Sequence, residues 1–134
     1  KRQAFHVIAD AAAAKLGRSA DTVLSALLER EALGATGLGN GVAVPHARIP
    51  DLDRVLGVFI RLQTPVAYGA VDDRPVDLLF ALFAPEKSGT DHLRALAAVS
   101  RALRQPLMRD SLRQAQSVDA LRALFVQDVE MQAA

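Results

Sequence analysis

From Arg2 to Leu16 apolar residues return every three or four positions, at Phe5, Ile8, Ala9, Ala12 and Leu16, which predicts an amphipathic helix ended by Gly17. Ser19 is an N-cap candidate for a second helix, with Asp21 in its first turn and Val23, Leu24, Leu27 and Leu28 on its inner face. That helix is expected to end near Gly34. The period then changes. Gly34 to Gly41 is a loop with glycine at 34, 37, 39 and 41, leading into a short strand, Val42 to Val44, that stops at Pro45-His46. Val55 to Gln63 is rich in branched residues and predicts a strand broken by Pro65, with Val66 to Tyr68 as a short return strand. Val76 to Ala84, almost wholly apolar apart from Asp77, predicts a central strand buried on both faces.

Helical spacing resumes in the last third. Ser88-Gly-Thr-Asp91 matches a capping box, followed by Leu93, Leu96, Ala97, Ser100 and Leu103 on one face. Pro106 starts another helix, and Ser117 caps a last one carrying Leu121, Leu124 and Phe125. Helices at both ends with strands between them predict one α/β domain spanning residues 1–134, its sheet covered on both faces. The chain opens at Lys1, without Met, directly in a helical pattern. The natural start is therefore expected upstream.

Composition removes several functions. The 134 residues are 51% apolar and 23% charged, enough for one core and unlike a disordered chain. Sixteen Lys and Arg against fifteen Asp and Glu leave a net charge of +1, with no basic surplus for nucleic acid. One Tyr, no Trp and five Phe offer no base-stacking platform. The absence of Cys excludes disulfides, thiolate metal sites and Cys nucleophiles, and fits a cytoplasmic protein. The longest fully apolar run, Leu78 to Pro85, is far short of the roughly 20 residues a bilayer span requires. No signal peptide is visible, and membrane insertion is not expected.

Three histidines carry the remaining chemistry. His6, next to Phe5 inside the first helix, reads as a surface or boundary histidine. His46 ends a strand after a glycine-rich segment, the setting in which α/β proteins place reactive groups and in which backbone N–H groups turn toward an anion. By position alone it is either a functional residue or a turn histidine. His92 falls in a first helical turn, where free N–H donors and the helix dipole favour anions and a neutral imidazole; alone, it also reads as a helix-start residue facing water. The glycine segment is no dinucleotide fingerprint, because helix, loop and strand come in the wrong order, and no Lys-Ser or Lys-Thr follows it. No paired-histidine zinc helix and no Gly-x-Ser-x-Gly elbow occur.

The segment Arg30-Glu-Ala-Leu-Gly-Ala-Thr-Gly-Leu-Gly-Asn-Gly-Val-Ala-Val-Pro-His46 resembles the active-site signature of the IIA domains of the fructose/mannitol class in the bacterial phosphoenolpyruvate-dependent phosphotransferase system. Pro75-Val-Asp-Leu-Leu-Phe-Ala-Leu-Phe-Ala-Pro85, followed by Asp91-His92-Leu93, resembles a second signature of that family. The likeness runs over nearly the whole chain. It implies a three-layer α/β fold of the mannitol IIA type, with a mixed sheet flanked by helices. It also implies a phosphohistidine carrier without metal or cofactor. His46 would accept a phosphoryl group on Nε2 from HPr or its nitrogen-branch counterpart, and His92 would hydrogen-bond the phosphorylated ring or the phosphoryl group. Arg30 and Arg48 would neutralise phosphoryl oxygens, and Thr36, Gly37, Gly39 and Gly41 form the signature loop.

The family commonly has Ser before the Thr and Gly after the His, where this chain has Ala35 and Ala47. The stretches 36–41, 57–65 and 70–80 look most like the nitrogen-regulatory branch, whose members act on potassium-transport regulators and sensor kinases. The alternatives are a sugar-uptake IIA passing phosphate to a IIB domain, and a phospho-switch module of a larger regulator.

Overall fold

The computed structural model describes residues 1–50, 52–69, 72–86, 90–121 and 123–124. Two helices open the chain, α1 (Arg2–Leu16) and α2 (Ala20–Leu33). Gly17 ends α1 in the left-handed region, at φ 65°, where its N–H closes on the Ala13 carbonyl. Ser19 begins α2, its hydroxyl accepting from Thr22 N–H at 3.1 Å. Both ends fall where the sequence pattern places them.

Five strands follow: β1 (Gly37–Gly39), β2 (Val42–Ala43), β3 (His46–Ile49), β4 (Leu56–Val66) and β5 (Val76–Pro85). The centre is β5, as its apolar run requires. On one side β2 and β3 pair with it in parallel, Val42 with Leu78 and His46 with Leu82, as two halves of one interrupted strand. On the other side β4 runs antiparallel from Leu56 opposite Phe83 to Val66 opposite Val76. β1 folds back on β2 as a hairpin. The sheet is therefore mixed.

The interruption between β2 and β3 has a chemical cause. Pro45 has no N–H to give the ladder and holds Val44 in extended backbone, while the Pro45 carbonyl still accepts from Leu82 N–H at 3.0 Å. The strand expected to stop at Pro45-His46 thus resumes at His46. Nor does Pro65 end its strand. Among the described residues β4 is hydrogen-bonded to β5 only, and its register slips between Arg61 and Val66, so the missing N–H falls at an irregular stretch of an edge strand. Val66 closes β4, and no return strand forms over Val66 to Tyr68.

Two apolar layers sandwich the sheet. Phe5, Ile8, Ala12, Val23 and Leu27 from α1 and α2 meet Leu79, Ala81 and Phe83 on one face. On the other face Leu78 and Leu82 meet Ala102 and Leu103 of α3 (Thr90–Arg104) and Met108 and Leu112 of α4 (Pro106–Gln114). Alternate residues of β5 feed opposite cores, which is why its sequence shows no polar face. Arginines close the helix ends: Arg109 Nη1 donates to the Leu103 and Arg104 carbonyls, and Arg61 Nη1 to those of Leu112 and Ala115. Ser117 caps the turn that follows α4, accepting from Ala120 N–H. Ser88 and Gly89 of the expected capping box, and Phe125, lie outside the described residues.

Candidate active site

His46 is the first residue of β3, half-buried, with both ring nitrogens engaged. Nδ1 lies 3.0 Å from the Val44 carbonyl, which only accepts, so Nδ1 carries the proton. Nε2 then bears the lone pair and accepts from Arg30 Nε–H at 3.2 Å. The main-chain groups of Val44 face away from β5: its N–H meets the Thr36 carbonyl at 3.0 Å and its carbonyl meets the imidazole. Arg30, in the last turn of α2, is steadied by a second bond from Nη1 to the Gly34 carbonyl at 3.0 Å.

His92, in the first turn of α3, is buried at 6% exposure, its ring centroid 5.6 Å from that of His46 at an interplanar angle of 49°. Its Nδ1 has no hydrogen-bond partner among the described residues. Arg48, two residues along β3, donates to the Glu86 carbonyl at 3.1 Å. Arg30, His46, Arg48 and His92 line one open cleft of about 450 Å3, with Leu33, Leu93 and Leu96 at its apolar side.

Both imidazoles are pushed toward the neutral form. Burial lowers the pKa of His46 below the ordinary 6.5, and the positive charge of Arg30 adds to it; the Val44 carbonyl and Glu31 act in the opposite direction. For His92 burial is again the main cause, followed by the charges of His46 and Arg48. The site therefore offers a neutral imidazole with a defined tautomer, facing two cationic side chains. Such a site suits a nucleophile that attacks a phosphoryl group carrying negative charge. Among the described residues no group of His, Cys, Asp and Glu could hold a metal ion.

The signature loop is placed elsewhere. Gly37, Gly39 and Gly41 belong to the β1–β2 hairpin at the other end of β2. Asn40 N–H binds Asp72 there, and Arg113 clasps Asp77 and the Asn40 carbonyl. Gly41 has φ +80°, a backbone conformation that favours glycine; a Cβ there would also displace the ends of the Arg113 and Asp77 side chains, at 2.5 and 2.9 Å. Thr36 does not line the cleft; it is buried with its hydroxyl on Glu31 and Tyr68. His6 is on the exposed face of α1.

The sequence reading missed three groups that bear on His46: the Val44 carbonyl, Glu31 and Tyr68. None carried a sequence signal, because each contact depends on how distant segments pack. Of the two departures, Ala47 is buried in extended β3 opposite Phe83, where no glycine freedom is needed, and Ala35 is exposed.

An open mixed sheet between two helix layers thus carries two histidines and two arginines at the junction of β2 and β3. The family model described as "Phosphoenolpyruvate-dependent sugar phosphotransferase system, EIIA 2" matches residues 1–128, and the chain belongs to that family. It is 42% identical over 125 residues to the nitrogen regulatory protein of Bradyrhizobium diazoefficiens, covering 93% of this chain and 82% of the relative. To the nitrogen regulatory protein of Escherichia coli it is 42% identical over 122 residues, covering 90% and 75%. The crystal structure of nitrogen regulatory protein IIA-Ntr from Neisseria meningitidis superposes with a TM-score of 0.89 at 35% identity, covering 93% of this chain and 86% of that one. This IIA domain is thus closely related to the nitrogen-regulatory proteins of its family. No helix among the described residues is long and apolar enough to cross a membrane.

Proposed function

We propose that the protein is a phosphohistidine carrier of the nitrogen-regulatory branch, accepting a phosphoryl group on His46 Nε2 from a phosphohistidine of an HPr-type carrier protein. The observation that carries the reading is the pair of contacts on His46. A protonated Nδ1 held by the Val44 carbonyl leaves the Nε2 lone pair as the nucleophile at the cleft.

In the transfer, the Nε2 lone pair attacks phosphorus while the donor's P–N bond breaks and its electron pair returns to the donor ring. The Arg30 guanidinium leaves the lone pair as phosphorus arrives and remains within reach of the phosphoryl oxygens. His46 keeps its Nδ1 proton throughout. Its ring gains positive character, which the Val44 carbonyl supports. His92 and Arg48 border the same space, and the dipole at the start of α3 favours the incoming anion. The transition state for such transfers is loose, so positioning and charge carry most of the catalysis and no metal is invoked. A protein donor accords with Leu33 and Leu93, 84% and 61% exposed at the cleft, as apolar contacts for a small transient interface. The P–N bond keeps its transfer potential, so the group can be passed on or read by a regulatory partner.

The test is the intact mass after incubation with phosphoenolpyruvate, enzyme I and either HPr or its nitrogen-branch counterpart, with His46→Ala alongside. An acid-labile gain of one phosphoryl group in the wild type alone, faster with the nitrogen-branch donor, is expected. A gain in His46→Ala would move the site; no gain with either donor would end the carrier reading.

A further inference from the structure

Behind His46 lies a buried carboxylate that the transfer itself does not touch. Glu31 follows Arg30 in the last turn of α2, and its side chain is 6% exposed. Taking a carboxylate out of water is costly unless donors surround it, and here they do. Oε1 accepts from Thr36 N–H at 3.2 Å, from the Thr36 hydroxyl, and from the Tyr68 hydroxyl at 3.3 Å. Oε2 is held only by the charge of Lys1, with Nζ at 2.7 Å, and accepts no hydrogen bond among the described residues. The residue so gripped, Thr36, then uses its own carbonyl to hold Val44 N–H at 3.0 Å. Val44 in turn holds His46 Nδ1. A continuous chain of contacts thus runs from Glu31 through Thr36 and Val44 to the imidazole, while Arg30, next to Glu31, closes on Nε2 from the other side.

We infer that Glu31 is a positioning residue for phosphoryl transfer: it anchors Thr36 so that Val44 presents its carbonyl to His46 Nδ1, which keeps Nε2 unprotonated and facing the cleft. The inference rests on His46 being the phosphoryl acceptor. Its physical content is the tautomer. The two neutral forms of imidazole are distinguished by the hydrogen bond each nitrogen makes, and a proton on Nε2 would occupy the lone pair that must attack phosphorus. With the carboxylate gone, the segment between α2 and β1 loses the side-chain grip on Thr36, and Val44 is held less firmly at its N–H. The negative charge of Glu31 also favours the cationic character that the ring acquires on phosphorylation.

The experiment uses the chain labelled with 15N-histidine and the variant Glu31→Ala, read in two ways. Nitrogen chemical shifts report the His46 tautomer with no donor present, and single-turnover transfer from the phosphorylated carrier protein separates the saturating rate from the half-saturating donor concentration. We expect a mixture of tautomers in the folded variant. We also expect a saturating rate lower by about ten- to a hundred-fold, the scale of a small misplacement of reacting groups, with an unchanged half-saturating concentration. A folded variant with wild-type ring shifts and rate overturns the inference, since a merely structural carboxylate would change melting alone. If Glu31→Ala does not fold, Thr36→Val and Tyr68→Phe, which each remove one hydroxyl from the carboxylate, are read by the same criteria. Wild-type protein that accepts no phosphoryl group would sink the carrier reading, while the donor-free tautomer measurement would still decide the role of Glu31.

Discussion

The rings of His46 and His92 face each other 5.6 Å apart, centroid to centroid, one on β3 and one in the first turn of α3. The topology brings them together. β3 and β5 are parallel, His46 opposite Leu82, and three residues after Leu82 β5 ends at Pro85. α3 begins at Thr90, and its first turn carries His92 to the ring of His46.

The close pair gives a graded expectation for His92→Ala. His46 retains its tautomer, because the Val44 and Arg30 contacts do not involve His92. On the carrier reading proposed above, the variant should therefore still accept a phosphoryl group on His46, but transfer it more slowly or hold it less stably, having lost the imidazole next to the His46 ring. Intact mass followed over time, with decay of the phosphorylated form measured separately, checks this. Failure to accept any phosphoryl group would make His92 indispensable and the grading wrong.

Both histidines have folded-state pKa values below 6.5, chiefly through burial, and the sign of the resulting pH effect is fixed. Below about 6.5 the unfolded chain binds protons at these positions that the folded chain refuses, so stability falls as pH drops through that window. Above it the two imidazoles contribute no pH dependence. We expect phosphoryl acceptance to persist to lower pH than a free imidazole would allow, since Nε2 keeps its lone pair until the lowered pKa is reached. Titration of the ring signals by NMR, beside urea melts from pH 7 downward, checks both statements. Ring pKa values at or above 6.5 would contradict them.

Much of this architecture was legible from periodicity and end signals. Gly17, Ser19 and Ser117 mark local backbone needs that only certain residues meet, and the short apolar run of β5, bounded by Pro75 and Pro85, fits a strand with a core on each face. The two prolines misled because their effect depends on partners: Pro65 is tolerated on an edge strand at a register slip, and Pro45 interrupts a strand without ending it. The pairing of His46 with His92 was implied by family signatures, not by spacing. The grip of Glu31 on Thr36 and Tyr68 was hidden, because an acid near a helix end reads as solvent-facing until the packing of β4 and the hairpin is known.

Gly41 tests whether the signature glycines serve packing at the hairpin. Its φ of +80° strains any L side chain, and a Cβ would press on Arg113 and Asp77, whose salt bridge spans 2.9 Å. We expect Gly41→Ala to destabilise the fold by about 1–3 kcal/mol, the usual cost of a side chain forced into such a conformation. The NMR signals of the His46 ring should stay in place. Urea denaturation measures the first and ring chemical shifts the second; a stable variant with displaced His46 signals would tie the hairpin to the site.

Arg30→Ala separates two roles that the resting geometry leaves combined. The guanidinium covers the Nε2 lone pair at 3.2 Å, which by itself would slow attack, yet it also places a positive charge at the nitrogen that would carry the phosphoryl group. Charge placed where negative charge gathers in the transition state outweighs the cost of one neutral-acceptor hydrogen bond, which is about 1 kcal/mol net and recovered when the side chain swings to the oxygens. Single-turnover transfer to Arg30→Ala should therefore be slower, by about a hundred-fold, the scale seen when one such donor is removed. At the same time the His46 pKa should rise toward 6.5, because the Arg30 charge is one of the causes that lower it, while burial continues to hold it down. A variant that accepts the phosphoryl group faster than the wild type would show that Arg30 mainly masks the nucleophile.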